Sequence, residues 1–340
     1  MCSRPFRIRL GNSGDRRPIL SLLKHWRALQ PIEARYRWIY DCNPHGPVLS
    51  WVAEDCASGQ VVGCISCFPR RLCVRGSIVL GSVGGDSFVH PDWRRMGIAG
   101  ALHTLSHKDL PRLGLAFNYG FSGSANRTAL KKAGAVDLGA FRRLVLPLSA
   151  KAAKFAPAAI AGRILRRWET LRKGRAGPSL DELSPDCERV WQELESLWEE
   201  ARQAFPISLV REASYFRWRY AAAPGERPLL FGIRRRGTLE GFAAVTRSGS
   251  RYGIFDFFAR EKETARHLLA LLGAALQERR AELVSVVLSP RGPYYHQTFR
   301  RMGFIRREPV PFVLYVVPEL DLREQMSDPR GWYITKADLD

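Results

Sequence analysis

The chain predicts a mixed α/β (α+β) fold built twice, as two domains that each carry a mixed, mostly antiparallel sheet with helices on both faces. Three observations predict it. Strand-like apolar runs alternate with amphipathic helical stretches along most of the chain. An aromatic motif occurs twice, YRWIYDCNP at 36–44 and FRWRYAAAP at 216–224, about 180 residues apart. Each copy follows an amphipathic stretch (16–28 and 188–204) and precedes a Gly, a Pro and an apolar strand. The boundaries that result are a first domain at 1–150, a basic linker at 151–185 and a second domain at 186–340.

The elements of the first domain follow in order. A short strand at 6–10 leads to helical segments from Asp15 and around 35–40, then to strands at 49–53 and 61–68, the latter (VVGCISCF) entered through Gly59 and Gly63. A longer strand, 82–89, ends at Pro91. Ile98, Leu102 and Leu105 then open a helical stripe. A strand at 115–121, a helix from Ala125 and a final strand at 141–148 complete the set.

The junction at 89–101, VHPDWRRMGIAGA, carries the chemistry. A strand, a glycine turn and a helix start stand in that order, and first-turn amides at the positive end of a helix dipole bind anions. Gly97 lets the backbone approach a ligand, Ala99 and Gly100 keep side chains away, and Arg94 and Arg95 add positive charge. The site suits a pyrophosphate.

These residues resemble the GCN5-related N-acetyltransferase (GNAT) family, whose acetyl-CoA loop reads [QR]-x-x-G-x-[GA]. Arg94, Gly97 and Ala99 fill the pattern, and Val89 and Pro91 supply the V-x-P lead-in often found before it. The likeness covers about 7–148 well and the second half more loosely. It implies two GNAT-like domains and an acyl-CoA, acetyl-CoA in the simplest case, bound as donor substrate by Val89, Arg94, Arg95, Met96, Gly97, Ile98 and Ala99. Asn126 would stand beside the pantetheine arm. The thioester carbonyl would meet a backbone N–H at Val89 or its neighbour.

The family's catalytic groups match less well. Its usual glutamate base is missing from the strand before the loop, where Asp86 is the one carboxylate and can serve as base or as a structural acceptor. The tyrosine that protonates the leaving thiolate would fall at Leu130. Tyr119 is a substitute donor or a packed strand aromatic. His90 reads as an exposed loop residue. Trp38, Tyr40, Trp218 and Tyr220 recur in both copies, so packing explains them better than substrate binding. The C-terminal segment GWYITKADLD is either a frayed tail or a closure that brings a carboxylate to the site, as in some tandem family members.

In the second copy the strand at 252–259 runs straight into a helix with no glycine turn, and Glu261 and Glu263 stand where a pyrophosphate would sit. Its ending, FRRMGFIRR at 299–307, resembles the Gly-Phe turn that closes many GNAT domains. Donor binding is therefore expected in the first domain alone.

Composition sets the outer limits. With 340 residues, 46% of them hydrophobic, the chain can build two cores, and it holds no apolar run of membrane-spanning length and no secretory leader. Seven irregularly spaced cysteines predict a reduced, cytoplasmic protein, and the lone Cys64-x-x-Cys67 inside a strand reads as structural, with no metal site. The net charge of +20 favours anionic partners, an acidic carrier protein among them. No nucleic-acid motif accompanies it. The basic amphipathic run at 160–173 suits either a peripheral membrane contact or packing against a domain. The function expected is N-acyl transfer to an amine, with an amino sugar of cell-envelope polysaccharide biosynthesis suggested by architecture alone. An acyltransferase fed by a carrier protein or a long-chain acyl-CoA, and a non-catalytic CoA-binding module, stay open beside it.

Overall fold

The computed structural model describes residues 5–26, 31–149, 179–289 and 295–339; the basic run at 160–173 lies outside them. The first half comprises β1 (Phe6–Leu10), α1 (Arg16–Trp26), α2 (Ile32–Tyr36), β2 (Leu49–Asp55), β3 (Val61–Val74), β4 (Ser77–Val89), α3 (Ile98–Asp109), β5 (Phe117–Phe121), α4 (Ser124–Lys132) and β6 (Val136–Pro147). The second comprises β7 (Leu180–Glu182), α5 (Glu188–Ala201), β8 (Ile207–Leu209), α6 (Ala213–Tyr220), β9 (Leu229–Arg235), β10 (Thr238–Ser248), β11 (Arg251–Ala259), α7 (Lys262–Glu278), β12 (Leu283–Leu288), α8 (Tyr295–Arg301), β13 (Ile305–Val316), α9 (Arg323–Ser327) and β14 (Trp332–Tyr333). No helix among the described residues is long and apolar enough to cross a membrane.

The strands form one sheet in the order β1-β2-β3-β4-β5-β13-β6-β12-β11-β10-β9-β7. Most pairs are antiparallel. The two parallel pairs in this path, β4–β5 and β11–β12, occupy equivalent places in the halves. The last strands are exchanged: β13 pairs with β5, whereas β6 pairs with β12. The strand at 141–148, expected to close its own domain, thus closes the parallel pair of the other half. Hydrophobic alternation places a strand on a sheet but does not name its neighbour, so the exchange leaves no mark in the pattern.

The duplicated aromatic motif sits where the halves meet. Trp38 and Trp218 stack at 4.7 Å between ring centroids. Each indole donates to the other's backbone carbonyl, at 2.8 Å from Trp38 to Trp218 O and 2.9 Å from Trp218 to Trp38 O. Such reciprocity is what a local two-fold between repeated units produces. One core cluster joins Trp38, Tyr119 and Phe141 to Trp218, Phe312 and Trp332. Burying aromatics of this size, together with their offset contacts, stabilises the junction by several kcal/mol, on the order of 2 kcal/mol for each ring.

Candidate functional site

β4 and β5 touch briefly and then part. They pair only at Ser82–Asn118 and Val83–Tyr119. Beyond that point β4 carries a bulge against β3, where the register slips between Cys64 and Ser66, and Asp86 takes a left-handed φ of 44°. Aspartate tolerates that conformation better than most residues. Its carboxylate Oδ2 accepts from Arg35 at 2.8 Å and from the Tyr40 hydroxyl at 2.9 Å, and Asp86 is fully buried. Burial and the Asp86 charge push the Tyr40 phenol well above its ordinary pKa, so Tyr40 stays protonated and donates.

The second half repeats this device. Asp256 on β11 accepts from Tyr220 at 2.6 Å and from Arg211 at 2.9 Å, beside a register slip between Ala244 and Val245. Tyr40 and Tyr220 are the last aromatics of the repeated motif.

The gap between the parted strands is a cavity of about 240 Å³ whose lining includes Ser66, Gly84, Asp86, Asn118, Tyr119 and Gly120. Tyr119 is fully buried, its hydroxyl has no hydrogen-bond partner among the described residues, and burial raises its pKa far above the usual phenol range. Leu130 lines the same cavity where the family's tyrosine would stand. The backbone of β4 adds a donor. His90 N–H donates to Val62 O at 2.9 Å, so the N–H of Val89, pointing the opposite way along the strand, faces the edge that β5 has left.

An outer groove of about 1140 Å³ adjoins the cavity, and the two share Ser87 and Asn126 in their walls. Arg94, Arg95, Met96, Gly97, Ile98 and Ala99 line the groove, and Lys108 and Lys132 belong to the same lining. All eight residues expected to bind the donor therefore lie on this one surface. Gly97 caps α3 with φ 84°, and Arg95 is also left-handed at φ 64°. A Cβ on Gly97 would meet open space, so glycine is required there for its backbone conformation, not for room. α3 has no side-chain cap, which leaves its first-turn amides to a ligand. Ile98 anchors the loop from below, buried at 1% exposure. A Cβ on Gly63 would come within 3.1 Å of Ile98 Cγ2, so Gly63 lets α3 settle on β3.

Sequence reasoning missed Arg35, Ser87 and His103. The His103 ring Nε2 lies 2.7 Å from Asn126 Oδ1, and Ser87 Oγ donates to the same oxygen at 3.4 Å. His90 is half-buried with its ring edge-on to His25. Cys64 and Cys67 are buried strand residues, and burial pushes the Cys67 thiol up to about 12. No cluster of metal-ligating side chains occurs among the described residues.

At the equivalent place in the second half the space is filled. β11 leads to α7 without a glycine turn, and the Tyr295 hydroxyl lies 3.0 Å from Ala259 N within a group of rings from Phe205, Phe257, Phe299 and Tyr333. The tail packs back onto the molecule: β14 pairs with β8, and the buried Arg211 holds Asp338 at 2.7 Å. Residue 340 lies outside the described residues.

No family model and no curated protein sequence matches the chain. Solved structures do match it, with a TM-score of 0.67 and 13% identity to a GCN5-related N-acetyltransferase from Anabaena variabilis, over 92% of this chain and 73% of that one. A conserved protein from Enterococcus faecalis described as a probable N-acyltransferase gives 0.70 and 12%, over 94% and 75%. The fold is therefore the one shared by GCN5-related N-acetyltransferases, and it extends over nearly the whole chain. N-myristoyltransferase from Saccharomyces cerevisiae, solved with bound myristoyl-CoA, has the same architecture, with a TM-score of 0.60 and 11% identity over 93% and 83%. At these identities the likeness is one of fold.

Proposed function

We propose that the protein is an N-acyltransferase that moves an acetyl or other acyl group from acyl-CoA to an amine, with donor binding confined to the first half. One observation carries this reading: the anion-binding turn before α3 opens into a groove continuous with the cavity between β4 and β5. The α3 amides with Arg94 and Arg95 hold the pyrophosphate, and the arm runs past Ser87 and Asn126 to bring the thioester between the strands.

In the reaction the amine nitrogen attacks the thioester carbonyl carbon. The Val89 N–H receives the developing oxyanion, the C–S bond breaks, the amine gives up a proton and the thiolate takes one. Tyr119, protonated and without a partner among the described residues, is the candidate donor to the departing sulfur. Asp86 is the carboxylate that the sequence offers as base. Its Oδ2 is already engaged by Arg35 and Tyr40, and the same arrangement stands in the half without the loop, so we assign it to holding the β4 bulge open.

In this reading residues 1–150 hold the donor, 186–340 shape the acceptor side, and the reaction is cytoplasmic. An amino sugar heads the acceptor panel. The alternative of an acidic carrier-protein donor draws on the same cationic rim, Arg94, Arg95, Lys108 and Lys132.

The test is release of free thiol from acetyl-CoA, longer acyl-CoAs and an acyl carrier protein across amino sugars, amino acids and polyamines, with Gly97→Glu alongside. Release by the wild type and its loss in the variant support the reading. Equal behaviour of the two removes the donor assignment, and CoA binding without release over the whole panel leaves a non-catalytic module.

A further inference from the structure

α4 and α8 end alike, and their ends align the two halves residue by residue. Gly134 and Gly303 both take a left-handed φ, 91° and 94°, and the next residue closes each turn, with Ala135 N donating to Leu130 O at 3.0 Å and Phe304 N to Phe299 O at 3.1 Å. Counted from these glycines, Arg127 corresponds to His296, Lys131 to Arg300 and Asp137 to Arg306. In the first half Arg127 pairs with Asp137. In the second half an imidazole and a guanidinium stand at those two places, and the acid is gone.

The exchange of β6 and β13 brings in another cation. Arg142 lies opposite Pro309 on β13 and opposite Leu288 at the end of β12, while Arg306 lies opposite Leu144. His296 and Arg300 are one turn apart on α8 and share a helix face. The His296 ring is half-buried. Burial first, and then Arg306, Arg300 and Arg142, hold its pKa below the ordinary value, so the charges that face it from its own helix and from both strands are positive. None of these three guanidinium groups has an ion-pair partner among the described residues. Of the acids on the two strands, Asp137 is held by Arg127 and Glu308 by Arg143, and α8 carries none. Arg300 and Arg306 are exposed and Arg142 is half-buried, so a ligand can reach them. Cations gathered without a counter-ion repel one another, and guanidinium forks match the oxygens of a phosphate.

We propose that Arg142, Arg300 and Arg306 form a second anion site where β6, β13 and α8 meet, and that it takes the terminal phosphate of a phosphate monoester. A monoester brings up to two negative charges and three acceptor oxygens, against the single charge of a carboxylate. None of the three arginines lines the inner cavity or the outer groove, so the site is separate from the one assigned to the donor and does not rest on the acyl-CoA reading. The phosphate can belong to a free metabolite or to a lipid headgroup. Glycerol 3-phosphate carries the chemistry common to both.

The experiment follows the His296 ring by NMR in the full chain labelled in histidine, with His296→Gln to assign the signal. Glycerol 3-phosphate is titrated beside glycerol and acetate, and co-sedimentation with phosphatidylcholine vesicles, with and without phosphatidic acid, tests the headgroup. The soluble ester should shift the ring signal saturably and raise the ring pKa, because a bound dianion offsets the arginines. Arg142→Gln and Arg306→Gln should each weaken binding by about tenfold or more, the size of a lost hydrogen bond to a charged group. Arg306→Asp, which restores the acid of the first half, should abolish the response and raise the ring pKa without any ligand. Gly97→Glu should leave the response intact. Vesicle binding that needs phosphatidic acid and is lost in Arg306→Asp, with no response to the soluble ester, supports the site and assigns it to a headgroup. No response in either arm, an equal response to acetate, unchanged affinity in both glutamine variants, or loss of the response in Gly97→Glu would overturn the inference.

Discussion

His107 gives the α3–α4 wall of the outer groove a measurable pH dependence. The ring is 2% exposed, stacks on Tyr315 at 3.9 Å and donates from Nδ1 to Ala133 O. Burial pulls its pKa from 6.5 down to about 4. Below pH 6.5 the unfolded chain takes up a proton at this residue and the folded chain does not, so each step toward acid favours unfolding until the folded pKa is reached. The contribution is fully present above pH 6.5 and is lost as the pH falls to about 4. At 1.36 kcal/mol per pH step the whole loss is about 3 kcal/mol. The perturbation is His107→Gln, which keeps an N–H for Ala133 O and does not titrate. Urea unfolding of both proteins at several pH values between 7.5 and 4 cancels the carboxylates they share. The stability of wild type relative to the variant should fall by about 3 kcal/mol across that range. A difference that does not change with pH refutes a buried neutral His107.

Three further outcomes are expected. Asp86→Asn keeps an acceptor for Arg35 and Tyr40, so its thiol release should stay within about tenfold of wild type, whereas Asp86→Ala removes the buried acceptor to which both donate and should be the less stable of the two by roughly 2 kcal/mol; a loss of 10² or more in kcat for Asp86→Asn at unchanged stability would restore Asp86 as base. Gly63→Val should push Ile98 and the loop off β3, raising the KM for acyl-CoA with little change in kcat, and an unchanged KM would remove Gly63 from loop placement. Acyl-CoA should bind with one site per chain in a calorimetric titration, because Tyr295 and the rings around it fill the equivalent space in the second half; two sites would contradict that.

What could be read from the sequence was local. The loop at 94–99 declares itself because its chemistry needs a left-handed glycine, small neighbours and arginines within six positions, and the structure puts all of them on one groove. The repeated aromatics declared a shared packing role, and Trp38 and Trp218 in fact pack on each other. Non-local pairings carried no such signal. Arg35 lies 51 residues from Asp86, and His103 lies 23 from Asn126. Nothing in either neighbourhood announces the partner. The exchange of β6 and β13 was hidden for the same reason, since the apolar pattern of a strand does not name the strand it pairs with. One clue to the role of Asp86 does lie in the sequence. VGGDSFV and YGIFDFFA each place an Asp near the end of the strand before the helix, and an acid repeated in the copy without a loop points to support of the strand rather than to chemistry.

The central claim is that one acyl-CoA binds in the first half with its thioester between β4 and β5. A crystal structure with a non-transferable acyl-CoA analogue tests it most directly. The account predicts pyrophosphate oxygens on the amides of Gly97–Ala99, the arm against Asn126, and the carbonyl oxygen on the Val89 N–H. A ligand bound at the second half, or a thioester lying outside the gap between β4 and β5, would contradict it.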